Sequence, residues 1–113
     1  GKKLLFMGME FGQWTEWDHE AELDWALLEH PNHIGIQRCL HDLNMLYRTE
    51  SALNERDCVP EGVSWTMMDD HNNSALAFVR HSDEDDILVV ANLTPIPREN
   101  YQIGVPKAGK WVG

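Results

Sequence analysis

A run of aromatic and acidic side chains between Glu10 and Glu20 holds the residue types best suited to chemistry in this sequence. Tryptophan faces stack on the C–H face of a sugar ring, and carboxylates or amides hydrogen-bond its hydroxyl groups. Trp14 and Trp17 supply such faces, and Gln13 supplies an amide among neighbouring acids. The segment therefore predicts a carbohydrate-binding loop. The alternative is that both tryptophans only pin the loop to its scaffold.

Paired carboxylates are a second candidate for chemistry. Retaining glycoside chemistry needs two acids about 5–5.5 Å apart at one bond, and Glu10 with Glu16 or Asp18 offers the residue types. All three lie in one loop, whereas barrel enzymes draw their catalytic groups from several strand ends. The pattern therefore favours a binding loop over a catalytic pair.

The histidines and the acidic run give little support for a metal site. His30 and His33 are three residues apart, but Pro31 between them disfavours a shared helix face, so both are predicted at the surface. The run Asp83–Asp86 lacks the loop spacing and the glycine of a calcium site, which predicts a solvated hairpin tip. We predict no metal and no cofactor.

Composition excludes several classes of partner. The 113 residues include 9 Lys and Arg against 19 Asp and Glu, a formal net charge of −10 with His neutral. Nucleic acids and anionic membranes need clustered cations, so neither is expected as a partner. No apolar run approaches the roughly 20 residues of a membrane span. Cys39 and Cys58 form no metal or redox motif, which predicts two reduced thiols in the cytoplasm.

The elements that must position the loop differ in their hydrophobic period. Lys3–Met9 is an apolar run typical of a strand buried on both faces, and residues 10–31 follow as a long ordered loop. A helix is predicted next, with Asn32 as its N-cap and its end between residues 49 and 53. Such a βα unit cannot satisfy both edges of a parallel strand by itself. Apolar residues at three- and four-residue steps predict one buried stripe on this helix: Ile36, Cys39, Leu40, Leu43, Leu46 and Tyr47.

From Val63 onward the apolar residues recur with a period of two. Turn-forming clusters separate five predicted short strands: Val63–Met68, Ala75–His81, Ile87–Leu93, Tyr101–Val105 and Lys110–Val112. Short strands at this spacing predict an antiparallel meander, half of a sandwich or barrel. Because the sequence ends at Gly113 without a capping element, we expect a fragment of a larger protein.

Six blocks of residues occur together in a known pattern. They are Lys3-Leu-Leu-Phe-Met-Gly-Met-Glu-Phe-Gly-Gln13, Trp17-Asp-His, Leu23-Asp-Trp25, Leu43-Asn-Met-Leu-Tyr-Arg48, Asn92-Leu-Thr-Pro-Ile-Pro-Arg98 and Val105-Pro-Lys-Ala-Gly-Lys-Trp111. Together the blocks resemble the glycogen branching enzymes, which are the 1,4-α-glucan branching enzymes of the α-amylase superfamily. Since the resemblance spans almost the whole chain, it is more specific than any single motif.

The resemblance implies a fold and a division into domains. The family has a (β/α)8 barrel followed by an all-β C-terminal domain. Residues 1–53 would be the last β/α unit of that barrel, and residues 60–113 part of the antiparallel C-terminal sandwich. This chain would then be α+β, in agreement with the change of period.

The resemblance also implies an activity. The family cleaves α-1,4-glucan chains and transfers the segment to a C6 hydroxyl as an α-1,6 branch, by a retaining double displacement in glycogen biosynthesis. The catalytic carboxylates of the family lie on earlier barrel strands, so none is assigned to this chain. The loop after the last barrel strand would flank the cleft and contact α-1,4-glucan through five residues: Glu10, Phe11, Gln13, Trp14 and Trp17.

Two other functions stay open. The chain could be a stand-alone α-glucan-binding module that uses Trp14, Trp17 or Trp65, or a purely structural β domain. A branching-enzyme fragment predicts inactivity and little or no saccharide binding, whereas a module predicts saturable binding. Without further barrel strands the apolar residues 4–9 and the helix stripe are left uncovered. We therefore expect self-association as a dimer or a swapped oligomer, or local disorder in residues 1–31.

Overall fold

The computed structural model describes residues 3–113, and the chain forms two compact units that divide between Glu50 and Ser51. The first unit contains 3₁₀ turns at Met9–Phe11 and Trp25–Glu29 and helix α1 at Pro31–Thr49. The second unit contains helix α2 at Ser51–Asn54, a 3₁₀ turn at Pro60–Gly62, and strands β1 at Val63–Asp70, β2 at Ala75–His81 and β3 at Asp86–Asn92. Within residues 3–113, no helix has both the length and the apolar character needed to cross a bilayer.

Helix α1 begins at a proline. Pro31 occupies the first helical turn, where its missing N–H leaves no hydrogen bond unmade and its fixed φ suits the helix. His30 precedes it in an extended conformation and is the N-cap residue. The prediction of Asn32 as N-cap is therefore wrong. The helix ends at Thr49, within the predicted range.

The predicted buried stripe of α1 is wrong, because its apolar residues are largely exposed. Leu43 is 53% exposed and Leu46 is 49% exposed. A helical stripe is buried only where another element packs on it, and the two 3₁₀ turns are the elements that contact α1 within the described part of the first unit. Farther along the helix, the Tyr47 ring lies 3.9 Å from the Nζ atom of Lys3.

The predicted buried strand at Lys3–Met9 is also wrong. Residues 3–6 have no regular structure, a turn and a 3₁₀ turn follow, and Leu4 is 77% exposed. A parallel strand needs a hydrogen-bonded neighbour at each edge. The three strands found within residues 3–113 pair with one another, and all their pairings are antiparallel.

The second unit confirms the predicted antiparallel meander. Its strands lie in the order β1-β2-β3, with Trp65 opposite Phe78 and Phe78 opposite Val89. The central strand β2 alternates between the two faces of the sheet, and its buried residues are Ala75, Ala77 and Val79. The period of two therefore predicted the existence of all three strands and placed their ends within two residues.

The last two predicted strands, at 101–105 and 110–112, are wrong. These residues form no strand, and side chains rather than a backbone ladder attach this part of the chain. The Tyr101 hydroxyl donates a hydrogen bond to Asp70, and Arg98 Nη2 donates to the backbone carbonyl of Asn73 at 3.1 Å. Polar side-chain contacts of Arg98 and Tyr101, instead of strand pairing, therefore attach this part of the chain.

The tip between β2 and β3 is solvated, as predicted, except at its last acid. Asp83, Glu84 and Asp85 are exposed, whereas the Asp86 side chain is only 16% exposed. Lys107 Nζ lies 2.9 Å from one Asp86 oxygen and His81 Nδ1 lies 2.6 Å from the other. The hydrogen bond from Lys107, and then that from His81, hold the pKa of Asp86 below its ordinary value.

Asp70 and Tyr101 perturb each other's ionisation. The Tyr101 hydrogen bond, followed by that of the Asn73 side chain, holds the pKa of Asp70 below its ordinary value of 3.8. The same hydrogen bond to Asp70 raises the pKa of Tyr101 above its ordinary value of 10.0. The pair therefore favours the folded state at pH values between the two pKa values, where Asp70 is ionised and Tyr101 is neutral.

We predict that the pair contributes stability that is lost at both ends of the pH range. Because the folded pKa of Asp70 is lowered, its contribution is present above about pH 4 and is lost as the pH falls through the folded pKa. Because the folded pKa of Tyr101 is raised, its contribution is present below about pH 10 and is lost as the pH rises through the folded pKa. In Asp70→Asn, the free energy of unfolding in urea should vary less with pH in both windows. Asp69→Asn is the matched control, and equal slopes in the two variants would contradict the prediction.

Candidate functional site

The predicted binding loop begins in a tight turn between two glycines. Gly8 and Gly12 have φ values of 84° and 70° and flank the 3₁₀ turn Met9–Phe11. A Cβ atom at Gly12 would lie 2.7 Å from Ile36 Cδ1 on α1. The left-handed backbone at position 12 therefore favours glycine, and the side chain of Ile36 packs close beside it.

Phe11 anchors this turn to the rest of the first unit. Its side chain is fully buried, and its ring lies 5.3 Å from the Trp25 ring, centroid to centroid. Its backbone carbonyl lies 2.8 Å from Nδ1 of His33. The residue predicted as a glucan contact is thus a structural anchor of the loop that carries the other candidates.

Gln13 braces the base of the loop. Its Oε1 accepts a hydrogen bond from the backbone N–H of Asp24 at 2.8 Å, and its Nε2 donates to the carbonyl of Thr15 at 2.8 Å. Its own N–H donates to the carbonyl of Gly8 at 3.0 Å. Both ends of the amide side chain are therefore used within the loop, which fixes the loop's conformation.

The two candidate tryptophans remain open to solvent. Trp14 is 78% exposed and Trp17 is 74% exposed. The Trp14 ring meets the His33 ring edge-on at 5.5 Å, and the Trp17 ring lies against Phe6 at 4.8 Å. Trp17 also has a φ of 59°, an uncommon conformation for a residue with a side chain. The loop therefore holds both indoles in place while leaving most of their surface accessible.

A cavity of about 610 Å³ lies beside these residues, a size typical of small-molecule sites. Its lining is mostly apolar, and its polar side chains are those of Gln13, Thr15 and Glu16. The complete lining consists of Leu4, Phe6, Met7, Met9, Gly12, Gln13, Thr15, Glu16 and Trp17. Such a surface can hold the apolar face of a sugar while a few polar groups reach its hydroxyls.

The structure brings together only some of the five predicted contacts. Gln13 and Trp17 line the cavity, whereas Glu10, Phe11 and Trp14 lie outside its lining. The role of each in glucan binding stays a prediction.

His33 is buried, at 7% exposure, and its residue type and spacing did not predict this. The prediction that His33 lies at the surface is wrong, because its ring is enclosed between the turn and α1. Its place as the third residue of α1 could have indicated a contact with the preceding loop, but the residue type alone could not. Within residues 3–113, no three His, Cys, Asp or Glu side chains cluster closely enough to hold a metal ion.

The chain is similar to known proteins over nearly its whole length. Residues 65–113 match the alpha amylase C-terminal all-beta domain. The chain is 59% identical to the 1,4-alpha-glucan branching enzyme of Pseudomonas putida over 98% of its length, and 57% identical to that of Aquifex aeolicus over 98%. It is 50% identical to that of Agrobacterium fabrum, again over 98%. It spans only 15%, 18% and 15% of these three relatives.

The match over residues 65–113 first places that part of the chain in a class, the all-β C-terminal domains of the alpha amylases, and the antiparallel sheet found there agrees with it. The relatives then define the family: the chain belongs to the 1,4-alpha-glucan branching enzymes, as a short segment of their length. The resemblance stated from the sequence motifs is confirmed.

We predict opposite effects of alanine at two glycines of the first unit. Gly12→Ala should destabilise it by about 1–2 kcal/mol, because the left-handed backbone disfavours a Cβ; the Ile36 methyl group near the new Cβ ends a flexible side chain and can move aside at little cost. Gly35→Ala should stabilise it by about 0.5–1 kcal/mol, since alanine is the better helix former and no atom lies within 4 Å of the new Cβ. Urea unfolding followed by circular dichroism measures both, and changes of the same sign would contradict the prediction.

Proposed function

We propose that this chain is part of a protein that makes α-1,6 branches in α-1,4-glucan by a retaining double displacement. The observation that carries the proposal is an identity of 50–59% over 98% of the chain to enzymes named 1,4-alpha-glucan branching enzymes. Glycogen biosynthesis in the cytoplasm is the setting that this family assignment favours.

We also propose the division of the chain into domains that the resemblance implies. Residues 1–53 would belong to the end of the catalytic barrel, and residues 60–113 to the start of the all-β C-terminal domain. The match over residues 65–113 supports the second assignment. In this arrangement the catalytic carboxylates belong to other parts of the protein, and the chain by itself is inactive.

The contribution of this chain is to contact glucan through its loop. Gln13 and Trp17 line the cavity, and the exposed Trp14 lies one residue from Gln13 on the same loop. Indole faces gain free energy from the apolar face of a glucose unit, and Glu16 in the lining offers acceptors for its hydroxyls. Glu10 and Phe11 lie in the turn Met9–Phe11, from which the loop extends, and contribute by supporting it.

We predict that the 113-residue chain leaves the iodine absorbance of amylose unchanged and binds maltoheptaose only weakly. In a ¹H–¹⁵N titration, the indole signals of Trp14 and Trp17 should move without saturating up to about 1 mM, which corresponds to less than about 4 kcal/mol of binding. Trp17→Ala should abolish the shift of Trp14, whereas Trp65→Ala on β1 should leave it intact.

Three outcomes contradict parts of this proposal. A change in iodine absorbance would mean that the chain holds catalytic groups. Saturable binding below about 1 mM would favour a stand-alone glucan-binding module. Shifts confined to Trp65, or no shift at all, would contradict the placement of the site in the loop.

We further propose that the chain associates with a second copy through the exposed apolar residues of α1. Leu43 and Leu46, one turn apart, are each about half exposed, and contiguous apolar surface of this kind favours burial against a partner.

The expected result is a sedimentation coefficient that rises with protein concentration. Leu43→Lys should abolish the rise, because a charge would then have to be desolvated in the interface. His41→Lys is the matched control, since His41 is exposed on the same helix. A sedimentation coefficient independent of concentration in the unmutated chain would contradict the proposal.

A further inference from the structure

His33 is the most fully buried polar side chain of the first unit's described residues, at 7% exposure. Burying a polar ring is unfavourable unless it forms a hydrogen bond. Its Nδ1 atom lies 2.8 Å from the backbone carbonyl oxygen of Phe11, 22 residues earlier in the chain. A single hydrogen bond thus links the start of the loop to the first turn of α1.

The partner of this bond fixes the state of the ring. A carbonyl oxygen only accepts hydrogen bonds, so Nδ1 of His33 must carry the proton. In the neutral imidazole this selects the Nδ1–H tautomer over the Nε2–H tautomer. A purely apolar packing role would impose no such choice.

The accepting carbonyl lies where the loop begins. The hydrogen bonds within the turn use the carbonyls of Phe6, Gly8 and Met9, whereas the Phe11 carbonyl contacts Nδ1 of His33 on the helix. Gly12 follows it and approaches Ile36 on α1. The ring of His33 also meets that of Trp14 edge-on at 5.5 Å. One side chain therefore contacts both the base of the loop and one of its exposed indoles.

We propose that His33 is a positioning residue. Its Nδ1–H donates to the Phe11 carbonyl and thereby holds the loop of Gln13, Trp14 and Trp17 in the conformation that contacts an α-glucan chain. The inference rests on the proposed function for its ligand, but the hydrogen bond and its effect on the loop are measurable without any saccharide.

The first test uses the unmutated chain. Long-range ¹H–¹⁵N correlation of the histidine rings at about pH 9, where a free imidazole is neutral, identifies the nitrogen of each ring that carries the proton. The expected result for His33 is the Nδ1–H tautomer, with the exposed His19 as the internal comparison. An Nε2–H tautomer at His33 would overturn the proposal.

The second test uses hydrogen exchange of the Gln13 amide, which donates to Gly8 within the turn. His33→Leu should raise its exchange rate about fivefold, the factor for a net loss of about 1 kcal/mol from one hydrogen bond. His33→Asn should restore near-normal exchange, because its side-chain amide can donate from a position close to that of Nδ1.

His41→Leu is the matched control and should leave exchange at Gln13 unchanged. Amides paired between β2 and β3 should exchange equally in all variants, which separates a local effect from unfolding. Equal exchange rates in His33→Leu and the unmutated chain, or an Asn variant as fast as the Leu variant, would overturn the proposal.

Failure of the proposed function gives a different pattern. If maltoheptaose moves no loop indole while His33 keeps the Nδ1–H tautomer and protects Gln13, the positioning role stands and only the ligand is wrong. If the loop binds saccharide equally well in His33→Leu, the ligand stands and the positioning role is wrong.

Discussion

The architecture of the first unit depends on the close contact between the turn at Phe11–Gly12 and the first turns of α1. The Phe11 carbonyl contacts His33, Gly12 lies beside the Ile36 side chain, and the Phe11 side chain is fully buried. The contact is small, yet it determines where the exposed indoles of Trp14 and Trp17 are held. A carbohydrate surface needs such fixed aromatic faces, because ordering them during binding would cost free energy.

The second unit is stabilised in a different way. Its three strands form one antiparallel ladder, with the small side chains of β2 buried at its centre. Polar side chains then attach the chain that follows β3. Asp70, Asn73, Arg98 and Tyr101 form one group of hydrogen bonds at the β1–β2 turn. A further ion pair joins Arg80 to Asp57 at 3.0 Å, where both side chains are largely buried.

The sequence predicted local features well and long-range contacts poorly. The alternation in Ala75–His81 is a property of neighbouring residues, so β2 was placed at its observed bounds. The apolar run Lys3–Met9 carries no information about whether a neighbouring strand is present, and within residues 3–113 it has none. The stripe at Leu43 and Leu46 was recognised as apolar, but burial depends on a partner that periodicity does not reveal.

In the candidate site, too, local features were predicted from the sequence and long-range contacts were not. Residue types alone indicated an aromatic, carbohydrate-type surface at Trp14 and Trp17. The bracing role of Gln13 and the burial of His33 depend on contacts 11 and 22 residues away in the chain. Such pairings are set by the path of the loop, which no pattern in the sequence specifies.

The brace at Gln13 also bears on how this region can vary between proteins. Its hydrogen bond to Asp24, 11 positions later in the chain, closes this segment at its base, so the residues between them are tethered at both ends. The entropic cost of closing a loop grows slowly, by about 0.6 kcal/mol for each doubling of length. Insertions or exchanges within this span would therefore be tolerated while the base stays intact. The segment is suited to carry different recognition surfaces on one unchanged support.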